Sequence, residues 1–140
     1  MKELQLNKPE TTTVPAIDPW FATGFMLRKG STYQFEVIPK EQVWRDGKTL
    51  GDFTADGKML PWLSLMYLFI RMPSVKWFAL LGCVNKKRST YFKIGVKPPP
   101  YTATEDGELF CFANDALGFN GYFYKHNNCG EITVTIIKIG

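Results

Sequence analysis

The sequence predicts an all-β fold, an antiparallel β-sandwich formed by a single domain. Short apolar runs are separated by turn signals, several of these runs alternate apolar and polar residues with period two, and helices do not alternate regularly with strands. The chain has 140 residues, of which 45% are hydrophobic. That length allows one substantial core but not two ordinary domains.

The N-terminal part begins with a polar segment and continues as two strands. Residues 1–15 are rich in threonine and proline and show no sustained apolar period, so we expect an N-terminal arm or irregular edge before a sandwich domain at 16–140. The run WFATGFMLRKG then leads into STYQFEVIP. There Tyr33, Phe35 and Val37 alternate with polar residues, as in a half-buried strand.

The middle of the chain gives weaker signals. Residues 41–57 are polar and glycine-rich, which predicts loops. In the following run, LPWLSLMYLFIRMP, apolar residues recur at the spacing of one helical face. Pro61, however, permits a helix only from its first turn, and Pro73 ends it. A short helix near residues 60–71 and an irregular packed loop are both compatible with this pattern.

The C-terminal half contains four predicted strands. WFALLGCV, YFKIGV and ELFCFA are apolar runs, and Pro98–Pro100 marks an exposed crossing between the second and the third. In the last run, EITVTIIKIG, Ile132, Val134 and Ile136 point to one face and the intervening threonines to the other.

A basic cluster raises the question of nucleic-acid binding. The net charge is +4, and Lys86, Lys87 and Arg88 are followed by Tyr91 and Phe92, a combination that single-strand binding grooves use. The cluster lies between two apolar runs and no recognised nucleic-acid-binding module accompanies it. We therefore expect a solvated hairpin loop and no nucleic-acid partner.

The cysteine spacing matches no zinc or redox signature. Cys83, Cys111 and Cys129 are an odd number, which cannot pair fully within one chain. We expect reduced thiols, the first two within apolar strands and Cys129 in a turn.

The sequence carries no signal for export or membrane insertion. Its start, MKELQLNKPETTTVP, lacks a basic region followed by an apolar stretch, so we expect a cytoplasmic protein, with non-classical export left open. The longest uncharged apolar stretch, residues 59–70, is shorter than the roughly 20 residues that cross a bilayer, so we expect no membrane span.

Four oxygen-bearing side chains follow or precede strands near the C-terminus. Asn114 and Asp115 close ELFCFA, while Asn127 and Asn128 precede EITVTII in an Asn-Asn-Cys-Gly turn. If the two strands are neighbours, these side chains meet at one end, and Ca²⁺ takes about six to eight oxygen ligands of this kind. The same residue types also cap strands and form turns, so a metal site and simple turn chemistry both remain open.

Catalytic motifs are missing from the sequence. His126 is the only histidine, and no Gly-x-Ser-x-Gly, paired-carboxylate or metal-hydrolase motif accompanies it. We therefore expect a binding protein without catalytic residues rather than an enzyme.

The C-terminal motifs resemble those of a known family. In order they are Lys93-Ile94-Gly95, Asp106-Gly107-Glu108-Leu109-Phe110, Ala113-Asn114-Asp115, Tyr124 and Asn127-Asn128-Cys129-Gly130, followed by a Thr/Val/Ile strand. This order resembles the calcium-dependent galactose-binding bacterial lectins, which have a galactose-binding-domain-like (jelly-roll) β-sandwich, and the lectin-like modules of some bacterial hydrolases. A looser match covers residues 44–57 and 71–82.

The resemblance implies a Ca²⁺ at one end of the sandwich whose shell is completed by two hydroxyls of a galactose-like sugar. The implied metal ligands are the Asp115 carboxylate, the Asn127 and Asn128 amides, a backbone carbonyl near Tyr124 and another from residues 44–56. The implied sugar contacts are Asn114, Asp115, Asn127, Asp56 and Trp44, with Phe119 or Tyr122 as further aromatic surfaces.

The sequence departs from the family pattern in two ways. The segment ALGFNGYFYKH between Asp115 and the paired asparagines is longer than the family's loop. The histidine and proline that contact the sugar in the family have no clear counterpart, and Asp56 is a poor substitute.

A structural or protein-interaction sandwich with a degenerate site is the alternative function. Its support is an aromatic-rich segment with Trp62, Tyr67, Phe69, Trp77 and Phe78, more than a small core needs. Such a surplus suits a subunit interface in a homo-oligomer.

Overall fold

Two mainly antiparallel β-sheets enclose a shared core. The computed structural model describes residues 1–48 and 50–140. The strands in these residues are β1 (Lys2–Glu3), β2 (Pro9–Pro15), β3 (Phe21–Leu27), β4 (Thr32–Val37), β5 (Val43–Asp46), β6 (Asp52–Thr54), β7 (Leu80–Val84), β8 (Phe92–Lys93), β9 (Tyr101–Thr102), β10 (Gly107–Ala113) and β11 (Asn128–Lys138). There is one α-helix, α1 (Tyr122–Asn127), and there are 3-10 helices at Pro61–Leu68, Arg88–Thr90 and Phe119–Gly121.

The strand order confirms the predicted β-sandwich. One sheet has the order β1-β3-β10-β7-β8, and the other has the order β6-β5-β11-β4-β9, with β2 also paired to β11. Among the described strand pairs, all are antiparallel except β1 with β3. Strand β11 organises its sheet, because it pairs with β2, with β4 and, at its beginning, with β5.

Period-two alternation places the core residues as the sequence predicts. In β4, Tyr33, Phe35 and Val37 are buried. In β11, the alternate residues that begin with Ile132 and end with Ile136 are buried. Strand β7 is buried throughout and β10 is buried at all but one residue. Both are interior strands of their sheet, and a strand reads as a continuous apolar run when both of its faces are buried. One hydrophobic cluster joins residues of both sheets.

The first fifteen residues lie at sheet edges, which is the second of the two forms expected for them, an arm or an irregular edge. Strand β2 pairs with β11 from Pro9 opposite Ile137 to Pro15 opposite Glu131, and the Thr13 and Thr133 hydroxyls are 2.9 Å apart. The absence of an apolar period in this segment has a physical reason. An edge strand tolerates proline and polar residues that a central strand does not.

Two of the helical segments bear on the predictions from sequence. The expected short helix near residues 60–71 is a 3-10 helix at Pro61–Leu68, which begins at its proline and buries none of its residues. Helix α1, in contrast, covers the end of the 116–126 segment, where we expected only a loop, together with Asn127. It has six residues, which is too short for the sequence to show a helical period. Within residues 1–48 and 50–140, no helix has both the length and the apolar character that crossing a membrane requires.

Candidate functional site

A cavity of about 260 Å³ opens where β5 and β10 end and β11 begins. Its polar lining comes from Asp46, Asp115 and Asn127. Its apolar lining comes from Leu50, Trp62, Leu63, Met66, Trp77, Ala116 and Phe123. The cavity therefore combines two carboxylates with an aromatic and aliphatic wall.

Asp115 is a buried carboxylate with one free oxygen. Its side chain is only 2% exposed, and Oδ1 accepts a 2.7 Å hydrogen bond from the Ala116 N–H. Oδ2 is buried and has no hydrogen-bond partner among the described residues. Burial, and then the nearby Asp46 carboxylate, raise the pKa of Asp115 to about 7, while the Ala116 N–H, the Asn128 side chain and Arg71 act in the opposite direction. A cation beside Oδ2 would favour the ionised form.

Asp46 supplies the second carboxylate, which the sequence analysis missed. It is the last residue of β5 and is buried, and its Oδ2 accepts a 2.7 Å hydrogen bond from Trp77 Nε1. Burial raises its pKa and the Trp77 N–H opposes this. A signal for this residue was present: in VWRD, Asp46 shares the inward face with Trp44, and an acidic residue at an inward strand position indicates a role.

The two asparagines separate where α1 ends. Asn127 closes the helix, is exposed and lines the cavity, whereas Asn128 begins β11 opposite Asp46 and is buried. Asn128 Nδ2 donates a 3.1 Å hydrogen bond to the Ala16 carbonyl, and its Oδ1 has no partner in the described part of the chain. The predicted Asn-Asn-Cys-Gly turn is thus a helix end followed by strand residues.

The two strands that carry the predicted ligands are not neighbours in one sheet. Strand β10 belongs to one sheet and β11 to the other. Residues 114–127 cross between the layers, so Asp115 and Asn128 approach from opposite sheets. This corrects the expected geometry, but it still places the two residues at the same end of the molecule.

Three predicted contact residues have other roles. Asn114 is fully buried and holds residues 72–76: its Oδ1 accepts the Met72 N–H, and its Nδ2 lies within hydrogen-bond distance of three carbonyls in that loop. Trp44 is a core residue whose Nε1 donates to the Phe78 carbonyl at 3.0 Å. Neither side chain has a surface for a sugar. Asp56 lines a different cavity, where Oδ1 accepts the Val96 N–H at 3.0 Å and lies 3.3 Å from Lys93 Nζ.

Tyr124 and the predicted aromatic surfaces also need correction. Tyr124 is buried, its hydroxyl donates to the Ala113 carbonyl, and its own carbonyl accepts the Asn128 N–H. Phe119 and Tyr122 are exposed but do not line the cavity, whereas Trp62 and Phe123 do.

The donor set suits a hard cation. Asp46, Asp115, Asn127 and Asn128 supply only oxygen ligands, and two of these oxygens are buried without a partner in the described residues. Ca²⁺ accepts carboxylate, amide and backbone oxygens in irregular geometry. In residues 1–48 and 50–140, no three His, Cys, Asp or Glu side chains lie close enough together to hold a metal ion by themselves. Amide, backbone or water oxygens would therefore complete the shell.

Comparison with known proteins finds similarity among solved structures. No family model matches the chain, and no curated protein matches it either. Among solved structures, the chain is similar to one described as the EclA N-terminal domain, a PllA-like lectin, with a TM-score of 0.63 and 14% sequence identity. The match covers 91% of this chain and 94% of that one. At this identity the similarity shows a lectin-like β-sandwich fold.

Proposed function

We propose that this protein is a non-catalytic carbohydrate-binding module in which Ca²⁺ holds the sugar. Asp46, Asp115, Asn127 and Asn128 would bind the ion, which supplies a coordination centre for two hydroxyls of a galactose-like sugar. The observation that carries the proposal is the pair of buried oxygens, Asp115 Oδ2 and Asn128 Oδ1, that have no partner in the described residues beside a second buried carboxylate. Unpaired buried oxygens of this kind are costly unless a ligand satisfies them.

The cavity wall supports a sugar as the second ligand. Trp62 is 69% exposed and Phe123 is 37% exposed, and both line the cavity beside Asp115. Aromatic rings pack against the apolar face of a sugar ring. The long segment between Asp115 and Asn127 contributes Phe123, so the departure from the family's loop adds to this wall. The solved structure with the similar fold is described as a lectin, which also favours this class.

Calcium titration tests the metal part of the proposal. Isothermal titration calorimetry of chelator-treated protein should show Ca²⁺ binding that Asp115→Asn weakens at least about tenfold, since a buried carboxylate ligand is lost. Asp56→Asn is the matched control, because Asp56 lies at another cavity and should leave the affinity unchanged. A flat titration at millimolar Ca²⁺ would reject the site.

Glycan binding tests the sugar part. The protein should bind to immobilised galactose-like glycans on an array in the presence of Ca²⁺, and this binding should disappear when a chelator removes the ion. Trp62→Ala should weaken glycan binding but leave the Ca²⁺ affinity intact, because Trp62 belongs to the apolar wall. If the protein binds Ca²⁺ but no glycan on the array, the carbohydrate-binding hypothesis is rejected and the metal site is supported.

A protein-interaction function, as in a homo-oligomer, is the second candidate, favoured by one surface. The segment at residues 59–69 exposes six large apolar side chains, Met59, Trp62, Leu65, Met66, Leu68 and Phe69. Exposed apolar surface of this kind is typical of interaction sites. In sedimentation velocity, a concentration-dependent oligomer that Leu65→Ser and Leu68→Ser disperse would support this function, with Leu6→Ser as the control. A monomer at all concentrations would count against self-association.

A further inference from the structure

The structure distinguishes Arg88 from the two lysines that precede it. Lys86 Nζ lies 5.0 Å from the centre of the Phe110 ring, and Lys87 Nζ pairs with Glu105 Oε2 at 2.8 Å. Arg88 is exposed, and within the described residues no carboxylate oxygen lies within 4 Å of its guanidinium. Arg88 lines a separate cavity of about 200 Å³. Of the three consecutive cations in this loop, Arg88 is therefore the one whose charge is available to an external ligand.

Arg71 lines the same cavity and is buried without an acidic partner. Its side chain is 7% exposed, and its guanidinium carbon lies 3.3 Å from the centre of the Phe112 ring and 3.8 Å from that of Trp20. The two rings compensate part of the cost of burying this charge. No carboxylate oxygen in the described part of the chain comes within 4 Å of it.

The hydrogen bonds of Arg71 leave donor capacity unused. Nη1 donates to the Pro19 carbonyl and to the Tyr124 hydroxyl, and Nη2 donates to the Tyr91 hydroxyl at 3.1 Å. Nε is buried and has no partner among residues 1–48 and 50–140. A guanidinium has five N–H donors, so Nε and one N–H of Nη2 remain unassigned.

Tyr91 adds a third donor to the cavity. Its hydroxyl accepts from Arg71, and within the described residues its own proton has no acceptor. The remaining lining, Leu68, Phe69, Ile70 and Leu117, is apolar. Among the described residues, the polar side chains that line this cavity are two guanidinium groups and one hydroxyl, with no carboxylate.

The part of the sequence that contains Arg71 and Arg88 is positively charged. Residues 57–104 contain eight Lys and Arg residues and no Asp or Glu. Asp115 is close enough to Arg71 for the guanidinium to lower its pKa, but Asp115 lines the other cavity. Glu105, directly after this segment, pairs with Lys87, so the preference for an anion rests on the lining of the cavity rather than on the charge of the segment.

We propose that the cavity lined by Arg71, Arg88 and Tyr91 binds a tetrahedral oxyanion, a phosphate or sulfate group. Arginine forks match the geometry of such groups, and hydrogen bonds between charged partners are the stronger ones. The exposed side chains of Leu68 and Phe69 at the rim suit an apolar carrier, so the group comes either as the free anion or as a lipid headgroup. This proposal is independent of the carbohydrate function, because it concerns a different cavity.

Titration of the free anion tests the site. Sodium phosphate and sodium sulfate would be added to ¹⁵N-labelled protein at constant ionic strength, and the arginine Nε–H and backbone resonances followed. We expect saturable shifts at residues around the cavity, and we expect Arg88→Gln to weaken the affinity about tenfold, the factor contributed by one charge-assisted hydrogen bond. Tyr91→Phe should also weaken it while retaining the ring. Arg88 is exposed, so its variant should fold.

Lys87→Gln is the matched control, since it removes the same charge from the same loop outside the cavity. Its effect should stay below about twofold. Equal losses in Lys87→Gln and Arg88→Gln, or shifts that never saturate, would overturn the proposal and leave only diffuse attraction.

Vesicle cosedimentation distinguishes the two sources of the anion. The probes are vesicles of phosphatidylcholine with phosphatidylglycerol and vesicles of phosphatidylcholine alone. Binding to the anionic vesicles that Arg88→Gln abolishes assigns the site to a lipid headgroup. Phosphate binding without vesicle binding assigns it to the free anion, and the absence of both overturns it.

Discussion

The Trp77 indole N–H donates a 2.7 Å hydrogen bond to Asp46 Oδ2, and both side chains are buried. Trp77 lies in the loop before β7, and Asp46 ends β5 in the opposite sheet. One carboxylate of the candidate site is therefore oriented by a residue that approaches from the other layer. The bond also leaves Asp46 Oδ1 for a further ligand.

Replacing Trp77 with phenylalanine should destabilise the protein. The variant retains an aromatic ring against Tyr67 but removes the donor to a buried carboxylate, so the free energy of unfolding should fall by about 1–3 kcal/mol. Urea unfolding measures the change. Trp62→Phe is the control, because Trp62 is largely exposed, and equal effects of the two substitutions would contradict the structural role of the bond.

The contribution of Asp115 to the stability of the calcium-free protein should fall as the pH rises from about 4 to about 7. Burial raises the pKa of Asp115 from 3.8 to about 7, so the folded state retains a proton that the unfolded state releases across this range. The stabilisation is complete below the unfolded pKa and is lost as the pH passes the folded one. Urea unfolding in chelator at a series of pH values measures this slope.

Asp115→Asn provides the test of that pH dependence. The variant has no carboxyl to ionise at this position, so its stability should depend less on pH and should exceed that of the wild type above pH 7 in chelator. Added Ca²⁺ should stabilise the wild type more than the variant, because the variant binds the ion more weakly. Parallel pH profiles for both proteins would show that Asp115 does not titrate in this range.

Asn114→Ala should destabilise the fold by about 3 kcal/mol or more, because a fully buried side chain loses its hydrogen bonds to several backbone groups of the 72–76 loop at once. Chemical unfolding measures the loss. Asn127→Ala, at an exposed asparagine, is the control and should stay within about 0.5 kcal/mol. A small effect of Asn114→Ala would mean that the 72–76 loop is held by other contacts.

Cys129 should be the one cysteine that reacts rapidly with a thiol reagent in the native protein. It is exposed, whereas Cys83 and Cys111 are buried. Burial raises the pKa of Cys83 to about 11 and also raises that of Cys111, which suppresses the reactive thiolate. Spectrophotometric thiol titration should find one fast thiol, absent in Cys129→Ser, and all three in denaturant. Rapid reaction of a second thiol in the native state would contradict this burial.

The arrangement of apolar residues along the chain was enough to predict most of the fold. Alternation identified β4 and β11 with their buried faces, and the loop at residues 85–91 does join antiparallel strands, as expected. Strands β2, β5 and β6 and helix α1 were missed. Strand β2 carries prolines and threonines at an exposed edge, β5 and β6 are short strands within the polar, glycine-rich residues 41–57 for which we expected loops, and α1 is too short to show a helical period.

The candidate site was predicted in part. Asp115 and Asn127 line one cavity, as the sequence suggested, but Asp56, Asn114 and Trp44 serve other contacts. Each of the three has a residue type that suits both a ligand contact and a structural bond. Sequence alone does not show which partner such a side chain meets.

The β-sandwich with buried alternate residues could be predicted from the order of the amino acids, because residues two positions apart encode the burial of a strand face. The folded chain was needed to show that Asp46 lies opposite Asn128 and beside Asp115, and that Arg71 and Arg88 line a second cavity. These neighbours are distant along the chain, and they come together through strand register and the crossing of residues 114–127 between the two layers, which no local pattern records.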